Sequence, residues 1–376
     1  MSPIIQIISL ILEKILISDN GFFIIEEIIF RMDKQKRTLY FDYLRVMATL
    51  AVIMLHMSAQ NWYVSDVNGY NWQVFNLYDS IVRWGVPVFV MISGALFLEK
   101  ELSLKVIYTK YIFRMAVSLI VWSAIYALFK YDEQQGRLIN FISAPYHLWF
   151  IFMIIGLYMM IPILKKVVEN MYTLRYFLFM SFIFVGCIPE LITIIRDFCT
   201  NSTILNCLEI IEKNIKELNI AFGYSAYFVL GFYLSKIEFN KKQRKIIYIL
   251  GCLGFIFTIV MDSFVALKNQ QYCSNYYNNF MINVMLESIA IFVFFKYRKF
   301  KNDNINKGIS YIAQRCFGIY LVHVLLIKIL KEQMGINTMT FNALISVPVI
   351  TILVFSIGLI LSIILNKIPY IKKYIV

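Results

Sequence analysis

Ten apolar stretches, each close to 20 residues, follow one another along this chain, at about 43–62, 76–98, 108–129, 147–164, 175–194, 219–235, 246–267, 279–295, 309–330 and 342–366. A run of that length and hydropathy spans the hydrocarbon core of a bilayer as a helix. Inside lipid only helices and closed barrels satisfy every backbone polar group. Continuous apolar runs, without period-two alternation, select the helix. The expectation is an all-α, polytopic membrane protein with about ten transmembrane helices. Composition agrees: the chain is 60% hydrophobic and 16% charged, against about 45–50% and 25% in soluble domains.

The net charge of +13 would suit a nucleic-acid partner, but its placement follows membrane topology instead. Lys and Arg crowd into alternate loops: Lys236, Lys241, Lys242, Arg244 and Lys245 in one, and Lys296, Arg298, Lys299, Lys301 and Lys307 in another. The intervening loops hold isolated cations such as Lys268 and Lys331. Positive charge is retained on the cytoplasmic side, so both termini are expected there. The excess charge needs no nucleic acid. Localisation is then the bacterial cytoplasmic membrane, with the lipid bilayer as a partner.

Residues 1–37 read as an N-terminal cytoplasmic or interfacial extension. Ile4–Leu12 and Phe22–Phe30 are apolar but too short to span, and no basic front or small-residue cleavage site marks a secretory signal. Translation from Met32 is the equal alternative, since MDKQKR followed by a span resembles a cytoplasmic start. Residues 38–376 form the membrane domain. The six cysteines show no CxxC spacing. Cys199 and Cys207 share one loop and would pair only in an oxidising compartment.

Ionisable groups at bilayer depth are costly and mark function. Arg45 and His56 are eleven residues apart, which on a helix returns to within about 20° of one direction, about 16 Å along the axis. Asp42, three residues before Arg45, is placed to pair with it. Arg83 falls near mid-membrane, followed by Gly85 and Pro87. Its structural alternative is a salt bridge with Glu287. His147 opens the fourth span beside Trp149, whose ordinary reading is the interfacial aromatic belt. His323, in the ninth, reads first as a hydrogen-bonded structural residue. Glu190 and Asp262 read as cap or interface carboxylates, and Arg315 as an interface snorkeller. No metal is expected, because the i, i+3 or i, i+4 ligand pairs and the HExxH pattern are missing.

Phe41–Asp42–Tyr43–Leu44–Arg45 with His56 resembles the first-span motif of the acyltransferase family 3 membrane proteins. Arg83–Trp84–Gly85–Val86–Pro87–Val88–Phe89, running to Ile92–Ser93–Gly94, is similar to the second. His147–Leu148–Trp149–Phe150 with Tyr158 and Pro162, Tyr227–Phe228–Val229–Leu230–Gly231, and Gly318–Ile319–Tyr320–Leu321–Val322–His323 extend the likeness over about 38–366. Cys316 stands where members often have Ser. The resemblance implies an O-acyltransferase, O-acetyl transfer foremost. It would take acetyl-CoA, or another acyl-CoA, as donor and a hydroxyl of an extracytoplasmic carbohydrate or lipid-linked glycan as acceptor.

On that reading His56 is the general base, since imidazole titrates near pH 6.5. Arg45 serves catalysis and holds the donor's phosphates. Arg83 steadies charge in the reaction, while His147, Trp149, Tyr320 and His323 bind the acceptor. The rival expectation is a transporter or exporter of a small polar solute or glycan, for which buried Arg and His also serve. Discontinuous helices and paired repeats would favour it, and no repeat is visible.

Overall fold

The computed structural model describes residues 38–129, 136–216 and 219–376; the 1–37 extension lies outside them. The described residues are helical, without a β-strand. In chain order the helices are α1 (Leu39–Trp62), α2 (Tyr70–Ser80), α3 (Gly85–Phe97), α4 (Leu104–Leu128), α5 (Arg137–Ser143), α6 (Trp149–Glu169) and α7 (Met171–Phe198). They continue with α8 (Ser202–Lys216), α9 (Asn219–Lys236), α10 (Lys241–Asn269), α11 (Ile282–Tyr297), α12 (Asp303–Ala313), α13 (Cys316–Glu332), α14 (Ala343–Leu365) and α15 (Pro369–Tyr374). From Tyr40 to Val376 they belong to one unit.

Eight stretches are long and apolar enough to cross a bilayer, and α12 with α13 makes a ninth if counted as one broken span. The expected ten is therefore not matched in full. The sixth expectation, 219–235, coincides with α9, where non-helical backbone at Gly223 (φ −50°, ψ −114°) leaves an unbroken part shorter than a bilayer requires. The loop expected to hold Cys199 and Cys207 contains α8, and both cysteines are free.

The second expected span is broken, and its sequence says where. Pro87 has no N–H, and its ring excludes a helical carbonyl four residues earlier, at Arg83. The chain turns over Ile81–Trp84, and Pro87 sits in the first turn of α3, where proline is tolerated. The turn satisfies its own polar groups: the Trp84 indole donates to the Ile81 carbonyl at 2.8 Å, and the Gly85 N–H donates to Val82 at 3.0 Å. A second break, of 62°, separates α12 from α13 at Gln314 and Arg315.

Small residues set the closest helix approaches. A Cβ built at Gly94 of α3 would lie 1.8 Å from the Phe228 carbonyl oxygen of α9, and one at Gly231 would lie 1.9 Å from that of Met91. These helices thus meet backbone to backbone, as small residues allow in membranes. Gly251 and Gly254 play the same part between α10 and α11, facing Ala290 and the Asn283 carbonyl. Gly94→Ala should therefore force α3 from α9 and lower stability by about 1–3 kcal/mol. Gly156→Ala, where no atom lies within 4 Å, should leave thermal unfolding in detergent unchanged or slightly raised.

Candidate functional site

A cavity of about 620 Å³ runs between α1, the α2–α3 break, α4, α6 and the α12–α13 break. Arg45 and His56 both line it, as their helical register requires. Arg45 pairs with Asp42 at 3.0 Å, and Asp42, fully buried, also accepts the Ser310 hydroxyl at 2.7 Å. A charged carboxylate behind the guanidinium lowers the cost of holding it at this depth. The same end of the cavity includes Cys316, Phe317 and Arg114, whose guanidinium lies 5.7 Å from the Phe317 ring centre.

The opposite end gathers the histidines. His56 and His323 have ring centres 5.3 Å apart, and His147 and His323 5.2 Å. The Tyr146 hydroxyl lies 3.3 Å from His56 Nδ1. His323 lies 2.5 Å from the Tyr320 carbonyl through Nδ1. A carbonyl only accepts, so that nitrogen carries the proton and Nε2 is the lone-pair nitrogen in the neutral ring. The Tyr320 hydroxyl in turn donates to the His147 carbonyl at 2.6 Å, tying the short turn before α6 to α13. His147 packs among the Tyr126, Tyr146, Tyr320 and His323 rings.

His147, Trp149 and Tyr320 line the cavity as expected of acceptor-binding residues, but His323 does not. It is fully buried, its ring against those of the other two histidines, and so stands off the wall at which the sequence expectation sets it against the acceptor. Tertiary packing alone brings it there; its own helix offers no signal of it. Among the described residues no His, Cys, Asp or Glu group has metal-binding geometry.

Arg83 lies in the α2–α3 break with its guanidinium 3.8 Å from the centre of the Tyr277 ring. Its ion-pair partner is Asp79, at 2.6 Å, not Glu287. The four-residue spacing accounts for this, since i, i+4 side chains are neighbours along a helical path. Glu287 instead accepts the Thr258 hydroxyl at 3.0 Å. Glu190 accepts the Ile282 N–H at 2.6 Å, a cap supplied to α11 from α7. Asp262 is fully buried and faces the Tyr276 N–H. Cys273, in the loop after α10, is buried, and burial pushes its thiol up to about 12. It is a neutral donor toward Asp262 and no nucleophile.

Removing Asp79 leaves Arg83 buried without its counter-charge. Asp79→Ala should cost about 3 kcal/mol, read as a lowered thermal midpoint in detergent. Adding Arg83→Met to it should recover most of that loss; a double variant no more stable than the single one would disprove the pairing as a structural element.

A family model for an acyltransferase domain matches residues 38–367. No curated protein and no solved structure matches the chain.

Proposed function

The chain belongs to this acyltransferase family, and we propose that it moves an acyl group, acetyl foremost, from acyl-CoA to a hydroxyl of an extracytoplasmic carbohydrate or cell-envelope glycan. Its setting is the bacterial cytoplasmic membrane, with the Arg45 end of the cavity toward the cytoplasm. The supporting observation is that Arg45 and His56 line one continuous cavity about 16 Å apart along a single helix.

In this reading the donor's phosphates meet Arg45, with Arg114 beside it, and the pantetheine arm extends along the cavity toward His56. His56 takes the proton from the acceptor hydroxyl as the oxygen attacks the thioester carbonyl. The tetrahedral oxyanion is met by Arg83, whose charge is held in place by Asp79. The C–S bond then breaks, the thiolate receives the proton from the imidazolium, and the ester and free CoA leave. Trp149, His147 and Tyr320 hold the acceptor, and His323 supports His56 and His147 from behind.

The span broken by 62° at Gln314 and Arg315, with the interruption between α2 and α3, is the feature that a transporter would share. Mass spectrometry of surface glycans from a deletion strain separates the readings. Loss of an acyl-sized mass supports transfer; unchanged acylation with altered solute uptake supports transport. His56→Ala should lower acyl transfer about 10²–10⁴-fold with membrane abundance unchanged, measured as CoA thiol released on acceptor addition. Arg45→Lys should raise the KM for acyl-CoA more than it lowers kcat, because a point charge replaces a bidentate fork.

A further inference from the structure

A second cavity, of about 260 Å³, opens between α7, α9 and α11, beside the exposed apolar side chains of Phe179 and Phe182. Its lining is almost wholly hydrocarbon: Leu178, Phe182, Val185, Ala226, Leu230 and Met285 are representative. Its two hydroxyl-bearing residues have their donors committed. Ser181 donates to the Phe177 carbonyl at 2.8 Å, and Tyr227 donates to the Asn279 carbonyl. The groove thus offers no free side-chain donor to an occupant, which favours a saturated or prenyl chain over a polar one.

Two local departures from α-helix shape it. A π turn covers Phe182–Cys187 in α7, and Gly223 interrupts α9. Such irregular turns widen a helix locally and recur at functional sites.

Tyr224 stands between the groove and the cavity that holds the histidines. Tyr224 accepts a hydrogen bond from the Asn279 amide at 2.8 Å and packs on Trp149 with ring centres 5.6 Å apart. Trp149 and Asn279 line the catalytic cavity. On its other side Tyr224 packs on Phe280 at 4.8 Å, and Phe280 lines the groove. We propose that this groove holds the hydrocarbon chain of a lipid-linked acceptor, whose hydroxyl-rich head passes over Tyr224 into the histidine end of the cavity. The proposal rests on the acyl-transfer reading and narrows it: the acceptor is presented from within the bilayer, one chain per enzyme. Trp149, with an exposed ring face, and Asn279 suit the stacking and hydrogen-bonding of a sugar head.

The test uses the full chain in phosphatidylcholine nanodiscs with a hexadecyl glucoside carrying a diazirine in its chain. Photolabel should concentrate on the peptides around 178–185 and 226–230. Ala226→Phe and Met285→Trp, two separate ways to fill the groove, should each cut that label about tenfold. Label spread evenly around the perimeter, label unchanged in both filled variants, or a second copy of the chain crosslinked through this face would overturn the proposal. In parallel, acyl transfer to hexadecyl glucoside should fall about tenfold in both variants, with transfer to methyl glucoside unchanged. An equal fall on both acceptors would also overturn it. Focused labelling in a protein that transfers no acyl group would keep the groove and remove the enzymatic reading. Transfer that persists without focused labelling would do the reverse.

Discussion

A cation held inside an apolar bundle has to be given its counter-charge by the protein, and this requirement organises the site. Arg45 and Arg83 each have a buried aspartate on the same side, three and four residues earlier in the chain. Both spacings bring helical side chains together, i, i+3 in one case and i, i+4 in the other. Asp42 and Arg45 lie on one continuous helix, and Asp79 and Arg83 keep a helical reach where α2 ends and the chain turns toward α3. Each ion pair is what makes its guanidinium tolerable.

The same logic decides which features were legible in the sequence. The Arg45–His56 register follows from 3.6 residues per turn and needs no tertiary information. The breaks were half legible: Pro87 announces one, while that at Arg315 lacks a proline and emerges only as a 62° bend. Arg114 was unreadable as a wall residue, because apolar periodicity is weak where lipid and core are both apolar, and only packing shows which face meets the cavity. Asp79 was open to the reasoning that pairs Asp42 with Arg45, since it stands four residues before Arg83, a helical pairing distance that needs no tertiary information. α8 is too short and too polar to register as a span, so its stretch read as loop.

His323 is the sharpest case of a residue whose sequence context and spatial context differ. Along the chain it is one polar group in an apolar helix, and a structural role was the economical reading. In space it stands against both other histidines, with its Nδ1–H committed to the Tyr320 carbonyl. That bond sets its tautomer, and its ring packs against the two histidines that line the cavity.

The cavity's polarity is distributed unevenly along its length, and that distribution carries the final step. Its Arg45 end presents a second guanidinium, from Arg114, and its other end presents neutral rings and amides: His56, His147, Trp149 and Asn279. A polyanion is favoured at the first end by charge and gains nothing comparable at the second. A neutral polyol is favoured where donors and acceptors alternate with aromatic faces. On the proposed reading the two substrates of an acyl transfer then take different positions along the cavity. Arg83, anchored by Asp79 and Tyr277, lines the wall where α2 gives way to α3, so the interruption of the second span sets the cation where that reading places the oxyanion.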